Sequence, residues 1–171
     1  MTLTLKDYKT LTSEEHKKLL AIRNQKEVRE ASNDTSEILF KNHILWVKKL
    51  HPKRYFAVLY KDEIVGGANF EADGASVTNW GVFFDRTLAP FVPLAAVYSF
   101  MEYLFGSYNE LFSQVKKQNE KALALNRYFG VEIEKENNTH FFMHITKQRW
   151  EERKKKLASI TKRIEKVEII A

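Results

Sequence analysis

The sequence predicts an α/β domain built on a mixed β-sheet with helices on both faces. Three observations carry that expectation. Extended and helical patterns alternate along the chain, which favours helices packed on a sheet. Three consecutive extended runs in its middle are separated only by short turns, the signature of an antiparallel meander. The length of 171 residues suits one domain with a proper core, since such a chain buries about 70% of its unfolded surface.

The elements follow in order. Leu3-Thr4-Leu5, with Tyr8, reads as a short first strand. Thr12 or Ser13 can cap a helix whose first turn carries Glu14 and Glu15. Leu19, Leu20 and Ile22 form its apolar face, and Arg23-Asn24-Gln25 ends it. Ile38, Leu39, His43, Trp46, Val47 and Leu50 recur at helical spacing until Pro52 stops the run. Arg54–Lys61, Ile64–Glu71 and Ser76–Asp85 are the meander strands, with turns at Lys61-Asp62-Glu63 and Ala72-Asp73-Gly74. After a loop holding Pro90 and Pro93, Leu94–Phe105 is a strongly apolar helix closed by Gly106. Leu111–Val115 is a strand, Asn119–Phe129 a helix stopped at Gly130, and Val131–Glu136 with His140–Thr146 a closing hairpin. The spacing of Trp150, Leu157, Ile160, Ile164 and Val167 then predicts one long helix over Gln148–Val167. The expected division is a domain over 1–147 and a basic amphipathic C-terminal helix and tail over 148–171.

Composition excludes several kinds of chemistry. There is no cysteine, hence no disulfide framework, no Cys-ligated zinc, no iron–sulfur cluster and no cysteine nucleophile. No apolar run approaches the roughly 20 residues of a membrane span, and the N-terminus does not read as a secretory signal, so a soluble cytoplasmic protein is the expectation. There is no Walker-type phosphate loop and no dinucleotide fingerprint. His140 and His144 would lie about 13 Å apart along a strand, too far to share one metal; no metal is expected. The formal net charge is +6, and most of it sits in Gln148–Val167, where eight basic residues face three acidic ones. Aromatics interleaved with basic residues are absent there, so neither nucleic acid nor a membrane surface is the expected partner. A helix packed on its own domain, or on a second copy as a homodimer, is the simpler reading.

One segment carries more than secondary structure. Gln118-Asn119-Glu120-Lys121-Ala122-Leu123-Ala124-Leu125-Asn126-Arg127-Tyr128-Phe129-Gly130-Val131 is a strand end, an Asn-capped helix and a glycine stop. It resembles the distal helix of the GNAT acetyltransferases, and the element order over about residues 1–147 is similar to theirs. Ile22-Arg23-Asn24, Val28-Arg29, Ser32, His43 and Trp46 resemble the front half of the ribosomal-protein and aminosugar branches. They look most like the nucleotide-aminosugar N-acetyltransferases of the pseudaminic acid pathway. The resemblance implies a GNAT-like mixed sheet with a three-strand antiparallel meander and an additional C-terminal helix. It also implies acetyl-CoA as co-substrate, no metal, and a nucleotide-linked aminosugar whose amine is acetylated for surface glycan synthesis.

The resemblance also implies roles. Backbone groups of Trp80, Gly81, Val82, Phe83 and Phe84 would pair with the pantetheine arm, while Arg86, Thr87 and Asn119 would serve the rest of the cofactor. Arg23, Arg29, His43 and Trp46 would meet the substrate, the arginines through its phosphates. Glu71 is the first candidate for removing the proton of the attacking amine, with His43 as the other option. Asn69, on the same strand face by period two, would orient that amine or a water. Two departures stand out. The loop Arg86-Thr87-Leu88-Ala89-Pro90-Phe91-Val92-Pro93 lacks the family's glycines, and its two prolines lack N–H donors. Where the family commonly places a tyrosine acid, seven residues after the helix-capping asparagine, Asn126 stands, with Tyr128 turned to another side of the helix. Two alternatives therefore stay open: a non-catalytic binding protein of the same fold with a degenerate cofactor loop, and a protein N-terminal acetyltransferase.

Overall fold

The computed structural model describes all of residues 1–171. Its sheet has eight strands in the order β6-β7-β5-β4-β3-β2-β1-β8. Strand β1 (Thr2–Asp7) leads through a short 3-10 turn into α1 (Ser13–Arg23), which opens on a full capping box between Thr12 and Glu15. Helix α2 (Lys26–Ala31) follows at once, and α3 (Phe40–Lys49) comes after an irregular segment. Helix α2 is not legible in the sequence, because one buried residue, Val28, leaves no period to read.

The meander is β2 (Tyr55–Tyr60), β3 (Glu63–Asp73) and β4 (Ser76–Phe84), all antiparallel, as expected. Strand β2 is covered on both faces. Phe56 and Val58 enter a core of 27 buried residues that includes α4 (Phe91–Phe105), whereas Ala57 and Leu59 enter a smaller one with Leu19 and Ile22 of α1 and Val47 of α3. Helix α4 begins three residues before the expected Leu94. Pro93 is tolerated in its first turn because the N–H groups there have no intrahelical partner.

Strand β5 (Glu110–Lys116), α5 (Glu120–Tyr128), β6 (Glu132–Glu136) and β7 (His140–Thr146) complete the expected order. Asn119 caps α5, its Oδ1 accepting from the Ala122 amide at 3.1 Å.

The C-terminal segment departs from expectation. Instead of one helix over Gln148–Val167 there are α6 (Lys147–Lys154), α7 (Ala158–Thr161) and a strand β8 (Lys166–Ile170) lying parallel to β1. Arg153-Lys154-Lys155-Lys156 suits the end of a short helix, because cations favour the negative end of the helix dipole. Trp150, Leu157 and Ile160 then belong to the large core, with Trp150 fully buried. Three of the five residues of the apolar stripe are therefore spent inside the chain, while Val167 stays exposed. The basic residues are anchors too: Arg149 Nε donates to Gly130 O at 2.8 Å, Arg153 Nε to Tyr128 O at 2.8 Å, and Lys154 pairs with Glu102. No helix is long and apolar enough to cross a membrane.

Candidate active site

The site begins where the sheet splits. Parallel β4 and β5 pair only at Ser76↔Glu110 and Val77↔Leu111. Beyond that, β4 keeps β3 on one side as far as Phe84, while β5 keeps β7 as far as Lys116. The facing edges of Asn79–Phe84 and Phe112–Lys116 diverge, which leaves peptide groups free to receive an extended ligand as a strand would. A bulge lies just before the split. Glu71 faces Asn79 and Ala72 faces Val77, so Thr78 is the extra residue. Such an insertion re-aims the side chains that follow.

After the bulge, alternation sorts β4. Trp80, Val82 and Phe84 pack toward the α4 core, and Phe83 belongs with the α1 and α3 side. On that second face the cross-strand register brings together Tyr55, Asn69 and Gly81, and beside them Glu71 and Asn79. A Cβ at Gly81 would meet only Asn69 Oδ1, at 3.6 Å, so there is room above this strand. A Cβ at Gly67 would lie 2.6 Å from the Tyr8 hydroxyl and from the Phe83 ring. Glycine at that position lets both aromatics close onto the sheet.

An aromatic wall rises beside this space. Trp46 meets Tyr55 edge-on at 5.0 Å between centroids, and Tyr8 lies 5.9 Å from Tyr55 and 6.3 Å from Trp46. Trp46 stays 41% exposed, so its ring is available to a ligand. The Tyr55 hydroxyl donates to Glu71 Oε1 at 3.2 Å, and burial together with that carboxylate raises the Tyr55 pKa, keeping it a donor. Burial, and secondarily Tyr55, raises that of Tyr8 further. Glu71 and Asn69 thus sit on one face, as period two predicts, with Glu71 at the exposed rim.

The remaining expected substrate residues divide. Trp46 faces the space. His43 lies beneath it, buried, its Nε2 held 3.0 Å from Nδ1 of buried His16. Burial and the neighbouring ring press the His43 pKa down to about 4, so both rings are neutral at neutral pH. Arg29 is used locally, Nε donating to Asn24 O at 3.1 Å and Nη1 to Thr35 O at 3.2 Å. Asn24 exchanges two hydrogen bonds with Ile38, each 2.9 Å. Arg23 donates from Nη2 to Asp34 O at 3.0 Å, while its Nη1 is buried with no partner. The arginine–asparagine pair is therefore first a clasp on the segment between α2 and α3, with one guanidinium nitrogen left over.

On the cofactor side, the main chain of Trp80–Phe84 borders the split as expected, and the Trp80 indole N–H is buried without a partner. Asn119 spends its Oδ1 on the helix cap, which leaves its amide NH2 group as donor. Asn126 is buried; its Nδ2 donates to Ala122 O at 2.9 Å and its Oδ1 accepts from Ser113 at 3.4 Å, so it bridges α5 to β5. Tyr128 packs under the Arg153 guanidinium, 5.6 Å from its ring centroid. The split and the space above Gly81 fit an acyl-pantetheine arm. The loop into α4 fits its diphosphate less well. Arg86 turns its guanidinium to Glu27 O at 3.2 Å, and Thr87 donates both its amide and its hydroxyl to Asp85. Two cavities, of about 300 and 230 Å³, lie elsewhere and are lined by none of the residues assigned from the sequence.

Tyr8 and Tyr55 border this space, His16 lies beneath it and Asp85 beside the loop into α4, placements that the sequence does not reveal. They come from rings and carboxylates brought together across distant segments, and no local spacing marks them.

No family profile and no curated protein matches the chain. Solved structures do. Campylobacter jejuni N-acetyltransferase PseH in complex with acetyl coenzyme A superposes with a TM-score of 0.69 at 24% identity, covering 85% of this chain and 99% of that one. The aminoglycoside acetyltransferase AAC(6')-Ib in complex with coenzyme A gives 0.70 at 14% identity, covering 89% and 99%. A GNAT-family acetyltransferase from Bacillus anthracis gives 0.71 at 11%, covering 81% and 92%. At these identities it is the architecture that is shared: the chain has the fold of the GNAT N-acetyltransferases.

Proposed function

We propose that the protein is an acetyl-CoA-dependent N-acetyltransferase whose acceptor is the amine of a nucleotide-linked aminosugar. The observation that carries the acyl-transfer reading is the split between parallel β4 and β5, bordered by unpaired main chain, with open space above Gly81 and the Glu71 carboxylate near it. Acetyl-CoA would supply an acyl group activated as a thioester. The chain's own residues would do the rest. Trp80–Phe84 would align the arm, and Asn69 would orient the acceptor. Glu71, steadied by the Tyr55 hydroxyl, would take the proton that the amine must lose to attack. The C–N bond forms as the C–S bond breaks, and holding both substrates in line supplies much of the rate. Asn126 is buried and bonded to Ala122 and Ser113, so no tyrosine acid stands at that position to meet the leaving thiolate.

The aminosugar assignment rests on the Arg23-Asn24 to His43-Trp46 resemblance and on pocket chemistry. Aromatic faces suit the apolar faces of a sugar or a base, and the spare Arg23 nitrogen suits a phosphate oxygen. A second reading is favoured by one observation, the loop whose Thr87 donors are already engaged: a binding protein of the same fold that performs no transfer.

Thermal melting separates the two. Acetyl-CoA at about 100 times its Kd should stabilise the native state by about 2.7 kcal/mol. No shift at saturating acetyl-CoA would remove the enzyme reading. Given a shift, a UDP-linked aminosugar is compared with a peptide amine as acceptor, and acetylation of the peptide alone would reject the sugar.

A further inference from the structure

We infer that Asp85 is an internal stand-in for the diphosphate of the acyl donor: its carboxylate takes both donors of Thr87 in the β4–α4 loop and lowers affinity for acyl-CoA. The inference rests on the acetyl-CoA reading above. The loop from Asp85 to Pro90 joins the unpaired end of β4 to α4, so a ligand lying along Trp80–Phe84 reaches it next. In this chain four of its five amides are already engaged, that of Ala89 being free. The Asp85 amide donates to Val65 O at 2.9 Å and that of Arg86 to Gln25 Oε1 at 3.3 Å. The Thr87 amide donates to Asp85 Oδ1 at 2.8 Å, and that of Leu88 to Asp85 O at 3.4 Å. Pro90 and Pro93 have no amide hydrogen to give.

The carboxylate itself receives three hydrogen bonds. Thr87 gives its amide and, at 2.7 Å, its hydroxyl to Oδ1, and Gln25 Nε2 gives one to Oδ2 at 3.2 Å. Those donors hold Asp85 below the ordinary carboxylate range, so it is an anion at neutral pH. The nearest cation in the loop does not offset it, because the Arg86 guanidinium is turned to the Glu27 carbonyl. A diphosphate arriving here finds Thr87, the loop's hydroxyl donor, occupied by a like charge. It must displace that carboxylate or bind beside it, and both outcomes weaken binding. The effect belongs to the diphosphate alone, since an acyl-pantetheine arm ends before the loop.

The test measures, by calorimetry, the Kd of acetyl-CoA and of S-acetylpantetheine, which lacks the diphosphate, on the full chain and on Asp85→Asn. Asparagine keeps the oxygen that accepts from Thr87 and removes the charge. Acetyl-CoA is expected to bind the variant about three- to tenfold tighter, with the gain shrinking at high salt, while S-acetylpantetheine is unchanged. Asp85→Ser, which retains a turn-capping oxygen, should change the two affinities in the same pattern. Equal or weaker acetyl-CoA binding in both variants overturns the inference and leaves the cofactor reading standing, as does an equal gain for both ligands. Failure of acetyl-CoA to bind any of the three proteins overturns the cofactor reading itself.

Discussion

Two residues carry the sharpest expectations. Glu71 is the carboxylate at the rim of the space above Gly81, and its Tyr55 hydrogen bond gives it a fixed direction. Glu71→Gln keeps shape and loses the base, so kcat should fall about 100-fold or more, the usual scale for general-base catalysis. Calorimetric affinity for acetyl-CoA should not move; an unchanged kcat would remove Glu71 from the chemistry. His43 makes a prediction about stability. Its native pKa of about 4 lies below its ordinary 6.5, so between those values the unfolded chain binds the extra proton. Stability is then fully present above about pH 6.5 and is lost as pH falls toward 4, by about 1–3 kcal/mol. Urea denaturation at pH 7 and pH 4.5 should show a steeper loss for the native chain than for a His16→Gln, His43→Gln double variant. Equal losses would show that the imidazole pair does not titrate with folding.

Among the elements, α6 is the informative one. Trp150 stacks on Phe105 with ring centroids 5.9 Å apart and lies 5.3 Å from Tyr98, and its indole donates to Glu102 of α4. Trp150→Ala should cost about 3–5 kcal/mol, the range for a fully buried aromatic, read as a lower urea midpoint. A helix standing apart from the domain would give almost no change. The site depends on this packing indirectly, because α6 also ties the α5–β6 corner through Arg149 and Arg153.

For the whole molecule, β8 is the outermost strand on one side of the sheet and pairs with Thr2–Lys6 along its full length. Glu165 N donates to Met1 O at 2.9 Å just before that strand begins. Ending the chain after Ile164 would move the open edge inward to β1, whose backbone then becomes a template for pairing with other chains. The truncated protein should melt lower and show concentration-dependent association by light scattering. A monodisperse product with unchanged melting would mean that β8 contributes nothing to the sheet.

The sequence by itself determined the element order, the meander, the capped helix after Asn119 and the neighbourhood of Glu71 and Asn69. These are local matters: a period of two or 3.6, a cap, a glycine stop, and the rule that alternate residues of a strand share a face. It also marked the glycine-free loop as unusual. Only the tertiary structure decided what the marked residues do. Arg29 reads as a phosphate ligand and turns out to hold a backbone segment, because the nearest carbonyls, Asn24 and Thr35, lie closer than any pocket. Trp150, Leu157 and Ile160 fit a helical stripe, yet the chain bends there, since burying them in the α4 core outweighs continuing one exposed helix. Lys166–Ile170 becomes a strand because β1 offers it an unpaired edge. The aromatic wall, the paired imidazoles and the Asp85 carboxylate arise from groups far apart in the chain, and distance along a sequence carries no record of contact in space.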